Sequence, residues 1–348
     1  ATLVPEMRTC RGGVTPVGND VDTPKRSAST PWTLRVYESL PGTALSIGIV
    51  FAIVLLLAFF LGRAAIGSEG AAPGDLRIAV TQILMTAYAA TAYAYVLLTA
   101  RTTTAEFVAS IETLPDREEV VATAGTYARG LMPLVGAVNF LVLGVGITNA
   151  TTPGSAWDWK TWSYDVVWHR VTTLLFVWWT GCFSCAVMVE SARLSRLSGS
   201  IKTLDLLDMQ PYQPLVRQGL TNALLVIGLV SVLSLLGVES RYWPALIGLW
   251  LGFIVLAWIG LMLPLRGIRK QFTAAKAREL DWCTARLRQS RDALKTGADA
   301  DPSFADVLAY QTMIEGLRNW PFDNSTLARF TLYLLIPLGS WLGGTFVE

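Results

Sequence analysis

Long runs of apolar residues separated by short polar stretches dominate the chain. A transmembrane helix needs about 20 mainly apolar residues to cross ~30 Å of hydrocarbon, and seven stretches approach this length. They are residues 43–61, 78–100, 130–148, 171–189, 219–238, 243–265 and 327–347. The pattern predicts an all-α fold, a polytopic transmembrane helical bundle of about seven spans.

The polar stretches divide the chain into four parts. Residues 1–34 are predicted to form a flexible cytoplasmic tail, 35–265 the transmembrane region with six spans, 266–326 a cytoplasmic helical hairpin, and 327–348 the seventh span. The hairpin is predicted because apolar residues recur at helical spacing on either side of Gly297. Its two helices either pack against one another or form a coiled coil with a neighbouring subunit.

Composition supports a membrane protein. The chain is 52% hydrophobic and 16% charged, whereas soluble domains carry about 25% charged residues. Of the 28 Lys and Arg residues, 23 fall on one side of the seven-span layout and 5 on the other. Because cytoplasmic loops retain positive charge, we expect a cytoplasmic N-terminus and a C-terminus outside.

Several kinds of chemistry are disfavoured by the sequence. The net charge of +2 does not indicate nucleic-acid binding, and His169 as the sole histidine leaves little from which to build a haem site or a hydrolase. The Cys182–Cys185 pair falls inside a predicted span, where it lacks the accessible thiolate of a redox motif and the four ligands of a zinc site. We expect no enzyme activity, no cofactor and no metal.

Uncharged polar residues on the second span are the candidate functional side chains. Gln82, Thr86 and Tyr93 fall on one face of a helix, and Asn139 in the third span is a further polar candidate. Such a face can line a wet pore. It can equally hydrogen-bond to neighbouring helices.

Small residues and proline indicate positions for helix packing and bending. Gly248 with Gly252, and Gly339 with Gly343, form G-x-x-x-G patterns that let helix backbones approach closely. Pro337 lies in the middle of the seventh predicted span and indicates a hinge.

A tryptophan-rich stretch lies between the third and fourth predicted spans, on the outer side. Indole rings favour the membrane interface, so this stretch is expected either to lie at the interface or to form a lid or docking surface. Its tryptophans are Trp157, Trp159, Trp162 and Trp168.

The residues Trp320-Pro321-Phe322-Asp323, ahead of a final span that carries Pro337, are similar to the C-terminal region of uncharacterised bacterial multi-span inner-membrane proteins. The likeness covers about 35 residues. It implies a bacterial inner (cytoplasmic) membrane location and an N-cap role for Asp323, and it implies no activity.

Two functions follow as hypotheses. The first is a channel-like or conducting homo-oligomer that the cytoplasmic hairpin assembles or gates, with the second span as pore wall. The second is a structural or accessory subunit that binds a partner protein in a larger membrane complex. The lipid bilayer is the expected surrounding in both cases.

Overall fold

The described part of the chain is mainly helical. The computed structural model describes residues 28–66, 73–111, 117–144, 163–200, 206–208, 210–235, 243–296 and 304–317, together with Ala328, Leu332 and Tyr333. The first 27 residues and nearly all of the predicted seventh span lie outside these ranges. One pair of two-residue strands, β1 (Ala28–Ser29) and β2 (Tyr127–Ala128), is antiparallel.

The helices within the described ranges are numbered in chain order. They are α1 (Trp32–Ser39), α2 (Ala44–Ile66), α3 (Pro73–Ala109), α4 (Arg117–Thr123), α5 (Leu131–Asn139), α6 (Tyr164–Gly199), α7 (Gln213–Ser234), α8 (Trp243–Thr296) and α9 (Phe304–Gly316).

Five of these helices, α2, α3, α6, α7 and α8, are long and apolar enough to cross a membrane. The all-α, multi-span character predicted from the apolar runs is therefore confirmed at this level. The most apolar part of α2 is only 17% buried by the rest of the protein. The corresponding part of α3 is 67% buried, so α3 lies at the centre of the bundle and α2 at its edge.

The third predicted span is shorter than expected within the described residues. Gly130, in the left-handed region at φ 84°, begins α5, and the helix widens into a π-helix over Phe140–Gly144. Together they make one apolar helical stretch, Leu131–Gly144, which rises only about 20 Å. The predicted residues 145–148 lie outside the described ranges.

Helices α3 and α6 run parallel and in contact. Gln82 in the first part of α3 hydrogen-bonds to Thr173 of α6, and Tyr93, about three turns further on, contacts Trp179. Two parallel neighbours require the chain between them to return from the Arg101 end of the bundle to the Gln82 end.

The stretch Leu131–Gly144 lies on this return path. It runs antiparallel to α6, because the carbonyl oxygen of Met132 accepts from the Cys182 thiol while Gly144 lies against Leu174. This short apolar helix therefore forms the middle part of the path from the Arg101 end of the bundle back to the Gln82 end.

Glycines allow α6, α7 and α8 to approach closely. A Cβ atom at Gly219 of α7 would lie 2.9 Å from the carbonyl oxygen of Leu261 in α8, and one at Gly260 would lie 3.1 Å from the Val187 side chain of α6. At Gly267 the backbones of α6 and α8 lie closer still. These positions fix how the three helices pack.

Helix α8 is a single helix of 54 residues, and it continues without a break across the boundary predicted at residue 265. Pro264 lies inside it, where the last apolar turn ends. Beyond this point α9 packs on α8, because Ile314 is fully buried in a cluster with Phe272 and Ala275. Lys276 also donates to the carbonyl oxygens of Glu315 and Leu317.

Candidate functional site

The polar side chains inside the bundle form three clusters. The first, the Gln82 cluster, joins α3 to α6. The Gln82 side-chain oxygen lies 2.7 Å from His169 Nδ1 and accepts from the Thr172 hydroxyl at 2.9 Å, while its Nε2 donates to Thr173 at 3.2 Å. Thr86, which is fully buried, donates to the carbonyl oxygen of Thr172. An amide oxygen can only accept, so in this orientation of Gln82 the imidazole proton lies on Nδ1.

The second cluster, the Gln218 cluster, joins α3, α6 and α7. Gln218 and Asn222 are 1% and 0% exposed. The Gln218 oxygen accepts from Thr103 at 3.0 Å, and its Nε2 donates to the Asn222 oxygen at 2.9 Å. Asn222 in turn donates to Ser191 of α6 at 3.2 Å, and Thr99 accepts from Gln218 at 3.3 Å. Buried carboxamides thus tie the three helices together, one turn apart on α7.

The third cluster, the arginine cluster, surrounds a buried carboxylate. Glu190 of α6 is 1% exposed and pairs with Arg193 at 2.7 Å. Arg193 also donates to the backbone carbonyls of Thr123 and Thr126, and its guanidinium carbon lies 5.1 Å from the centre of the Tyr127 ring. Burial raises the pKa of the Tyr127 phenol well above its usual value, and the negative charge of Glu190 raises it further.

Arg101 of α3 extends the arginine cluster to the start of the described chain. It forms an ion pair with Glu38 of α1 and donates to the carbonyl oxygen of Ala124 at 3.2 Å and to the Thr30 hydroxyl at 3.5 Å. The β1–β2 pair lies beside these contacts, since Ala28 pairs with Ala128. Arg101 and Arg193 therefore hold the residue 123–128 connection against α1, α3 and α6.

An apolar layer separates the Gln82 cluster from the other two. Between Thr86 and Thr99, the inward side of α3 carries buried Ala89, Tyr93 and Val96 in the central hydrophobic cluster. Thirteen residues of helix correspond to a rise of about 20 Å. The hydrogen bonds of the described residues therefore do not form a continuous polar path along α3.

The predicted pore-lining residues lie in helix interfaces. Gln82 and Thr86 belong to the Gln82 cluster, and Tyr93 is 1% exposed with its ring 5.9 Å from that of Trp179. Asn139, where α5 meets the π-helix, donates to the carbonyl oxygen of Val177 at 2.6 Å. The structure thus brings three of them against α6 at successive levels, and Asn139 meets α6 from α5.

The predicted packing glycines on α8 lie on its exposed face, away from the other described helices. Gly248 and Gly252 are both exposed, and a Cβ atom at either would meet no atom of the described chain within 4 Å. The hinge and packing residues Pro337, Gly339 and Gly343 lie outside the described residues.

Of the predicted interface tryptophans, the structure describes Trp168 alone. It is half-buried in α6, and its ring centre lies 5.4 Å from that of Phe59 in α2. Trp157, Trp159 and Trp162 lie outside the described ranges, as does the stretch Trp320-Pro321-Phe322-Asp323.

The cysteines and the acidic residues assemble no metal site in the described part of the chain. Cys182 and Cys185 are free thiols, and Cys182 donates to the carbonyl oxygen of Met132. These contacts belong to the packing of α5 on α6.

The arginine cluster was not predicted from the sequence. Glu190 and Arg193 are three residues apart, a spacing that places both on one face of a helix, and Glu190 follows directly after a predicted span. That combination is a usable sequence signal for a paired charge at the edge of an apolar run. Arg101 and Glu38 are 63 residues apart, and no local pattern connects them.

Taken together, the long apolar helices and the buried polar clusters between them define a multi-pass helical membrane protein. No protein-family model, curated protein or solved structure matches the chain.

Proposed function

We propose that the protein is a structural or accessory subunit of a larger membrane complex, and that the extension of α8 with α9 is its docking element. The observation that carries this proposal is an exposed aromatic side chain outside the apolar part of the bundle. Trp282 is 52% exposed and lies 18 residues beyond Pro264, about 27 Å further along the helix. A contiguous patch of exposed apolar side chains in an aqueous region marks an interaction surface.

Other side chains of the same element support the docking role. Leu308 and Met313 of α9 are 47% and 45% exposed. The Trp282 ring packs edge-on against the Tyr310 ring, with the ring centres 6.2 Å apart and the ring planes at 87°. Helices α8 and α9 therefore hold the indole in a fixed position. Aromatic and methionine side chains are enriched at protein interfaces.

The polar clusters support a structural role for the bundle. The polar groups of Gln82, Thr86 and Asn139 are used in hydrogen bonds to α6, and the apolar layer on α3 separates the clusters. For the described residues, conduction, the first hypothesis from the sequence, is therefore best served by a path between copies of the chain. A homo-oligomer built through the docking element is the arrangement that would supply one.

Purification of the full chain in native lipid tests the proposal. A different polypeptide that copurifies in fixed proportion is the expected result. Trp282→Ala should reduce its recovery at least about tenfold, since truncating an interface anchor costs about 2 kcal/mol or more. Trp258→Ala is the matched control, because Trp258 is 53% exposed on the apolar part of the same helix.

Two other outcomes contradict the proposal. A homo-oligomer that supports solute flux in liposomes would favour the channel instead. A monomer without partners, indifferent to the Trp282 substitution, would refute both assembly roles.

For the membrane topology, we propose seven crossings of a bacterial inner membrane with the Arg101 end in the cytoplasm. The parallel arrangement of α3 and α6 and the bias of Lys and Arg toward one side support this topology. In a cysteine-free background, Arg291→Cys should react with a membrane-impermeant maleimide only after the membrane is opened. Reaction in intact cells would refute this orientation.

A further inference from the structure

Helix α1 presents two different exposed faces besides the face that packs on the bundle. Thr33 and Leu34 are buried at 7% and 0%, and Tyr37 is half-buried. The exposed positions divide into an apolar group and a polar group. The apolar group is Trp32, Val36 and Leu40, which are 63%, 43% and 44% exposed; the polar group is Arg35, Glu38 and Ser39.

The spacing separates these groups around the helix. Trp32, Val36 and Leu40 are four residues apart, so they form one stripe along α1 and its C-terminal boundary. Arg35 and Ser39 form a second stripe at the same spacing. It lies next to the apolar stripe, on the side away from the buried Thr33. A helix on a protein surface in water needs one apolar face, toward the core. A second apolar face next to a polar face is typical of a helix in a membrane interface.

The contacts of α1 place it at the level where the adjacent span begins. Leu34 shares the central hydrophobic cluster with Tyr93 and Leu97 of α3. Thr91, two residues before Tyr93 on α3, lies directly against Gly48, the fifth residue of α2. Helix α1 therefore lies beside the first turn of α2, at the end of its apolar run.

The apolar stripe of α1 continues into the exposed face of α2. Leu45, Ile49 and Ile53 are 66%, 53% and 49% exposed. The most apolar part of α2 is only 17% buried by the protein. An apolar helix left this open within a membrane-crossing bundle faces lipid.

We propose that α1 is an interfacial helix whose Trp32–Val36–Leu40 stripe contacts the lipid bilayer at the headgroup and upper acyl level. Tryptophan favours this depth because its ring is apolar and its N–H needs a polar partner. Arg35, on the polar stripe, faces the headgroups and the water. The proposal is independent of the docking role assigned to α8 and α9.

The surroundings of α1 connect this lipid contact to the arginine cluster. Glu38 pairs with Arg101, and Arg35 donates to the carbonyl oxygen of Thr30 at 3.2 Å. The depth at which α1 lies in the interface therefore positions Arg101 and, through it, the residue 123–128 connection.

Spin labels on the full chain in liposomes test the proposal. Single cysteines replace Trp32, Val36 or Leu40 in the apolar stripe and Arg35 or Ser39 in the polar stripe, with the native cysteines changed to alanine. The ratio of collision rates with oxygen and with a water-soluble nickel chelate should be severalfold higher in the apolar stripe, because oxygen concentrates in lipid.

Two results would overturn the proposal. Equal, water-like ratios in both stripes would place α1 in solution. Exclusion of both reagents from the apolar stripe would show that protein covers it.

If the cysteine-free chain does not fold, fluorotryptophan NMR of the otherwise native chain answers the same question. Trp32→Phe assigns the Trp32 resonance. A nitroxide-labelled lipid should broaden it more than an aqueous gadolinium chelate does, and the reverse order would contradict the lipid contact.

Discussion

Replacing Gly267 with alanine is expected to force α6 and α8 apart. The added Cβ atom would lie 2.9 Å from the backbone nitrogen of Gly199 and much nearer to the carbonyl oxygen of Ser195. Both atoms belong to the backbone of α6, so rotation of a side chain cannot relieve the contact. A carbon atom normally stays about 3.3 Å or more from a carbonyl oxygen.

The size of the effect follows from this geometry. To reach a normal distance, the Cβ atom must move about 0.4 Å away from the Gly199 nitrogen and about 1 Å away from the Ser195 oxygen. A shift of this size disturbs Leu265 and Ile268, which are fully buried on either side of Gly267. Overpacking costs about 1–3 kcal/mol when side chains can adjust, so we expect about 3 kcal/mol for a contact with rigid backbone.

Thermal unfolding in detergent or native nanodiscs measures this loss. Gly248→Ala and Gly252→Ala are matched controls on the same helix, because a Cβ atom there meets no described atom within 4 Å. Alanine is also the better helix former, so the controls should be neutral or slightly stabilising. The same small change for Gly267→Ala and for the controls would refute the close approach of α6 and α8.

Three further experiments test the polar clusters. Arg193→Ala leaves the buried Glu190 carboxylate without its partner and should destabilise the protein by about 3 kcal/mol. Adding Glu190→Gln should recover part of this loss in the same unfolding assay. No recovery would contradict the pairing. Gln218→Leu removes bonds to Thr103 and Asn222 and should cost about 1 kcal/mol, whereas Gln289→Leu on the exposed α8 extension should have no measurable effect. Because the folded state resists ionisation of Tyr127, the wild type should lose stability as the pH rises above about 10. The Tyr127→Phe variant should lose less stability over the same pH range. Identical profiles of stability against pH would argue against a buried phenol.

The apolar runs predicted the long helices well because a stretch of about 20 apolar residues has few alternatives to a buried or membrane-crossing helix. The first predicted span, residues 43–61, corresponds to α2 (Ala44–Ile66), and the fourth, 171–189, lies within α6. The ends were underestimated. Helix α6 extends a further ten residues beyond 189 because polar residues such as Arg193 and Ser198 continue the helix and pack on its neighbours.

The partners of the candidate residues could not be predicted. The spacing of Gln82 and Thr86 placed them on one face, and the identity of the opposing helix depends on tertiary packing. The boundary predicted at residue 34 divides α1, because its eight residues, with Arg35 and Glu38 among them, show no long apolar run. Its exposed apolar stripe is recognisable only when its buried face is known.

The continuity of α8 has a mechanical consequence. The part beyond Leu265 is a rigid arm about 46 Å long, to Thr296, and Pro264 removes one backbone hydrogen bond at its base. A change of 5° in direction at that base, taken as an order-of-magnitude example, displaces the tip of the arm by about 4 Å. The helix is therefore a lever, which converts a small tilt among the packed spans into a movement of about 4 Å at its tip.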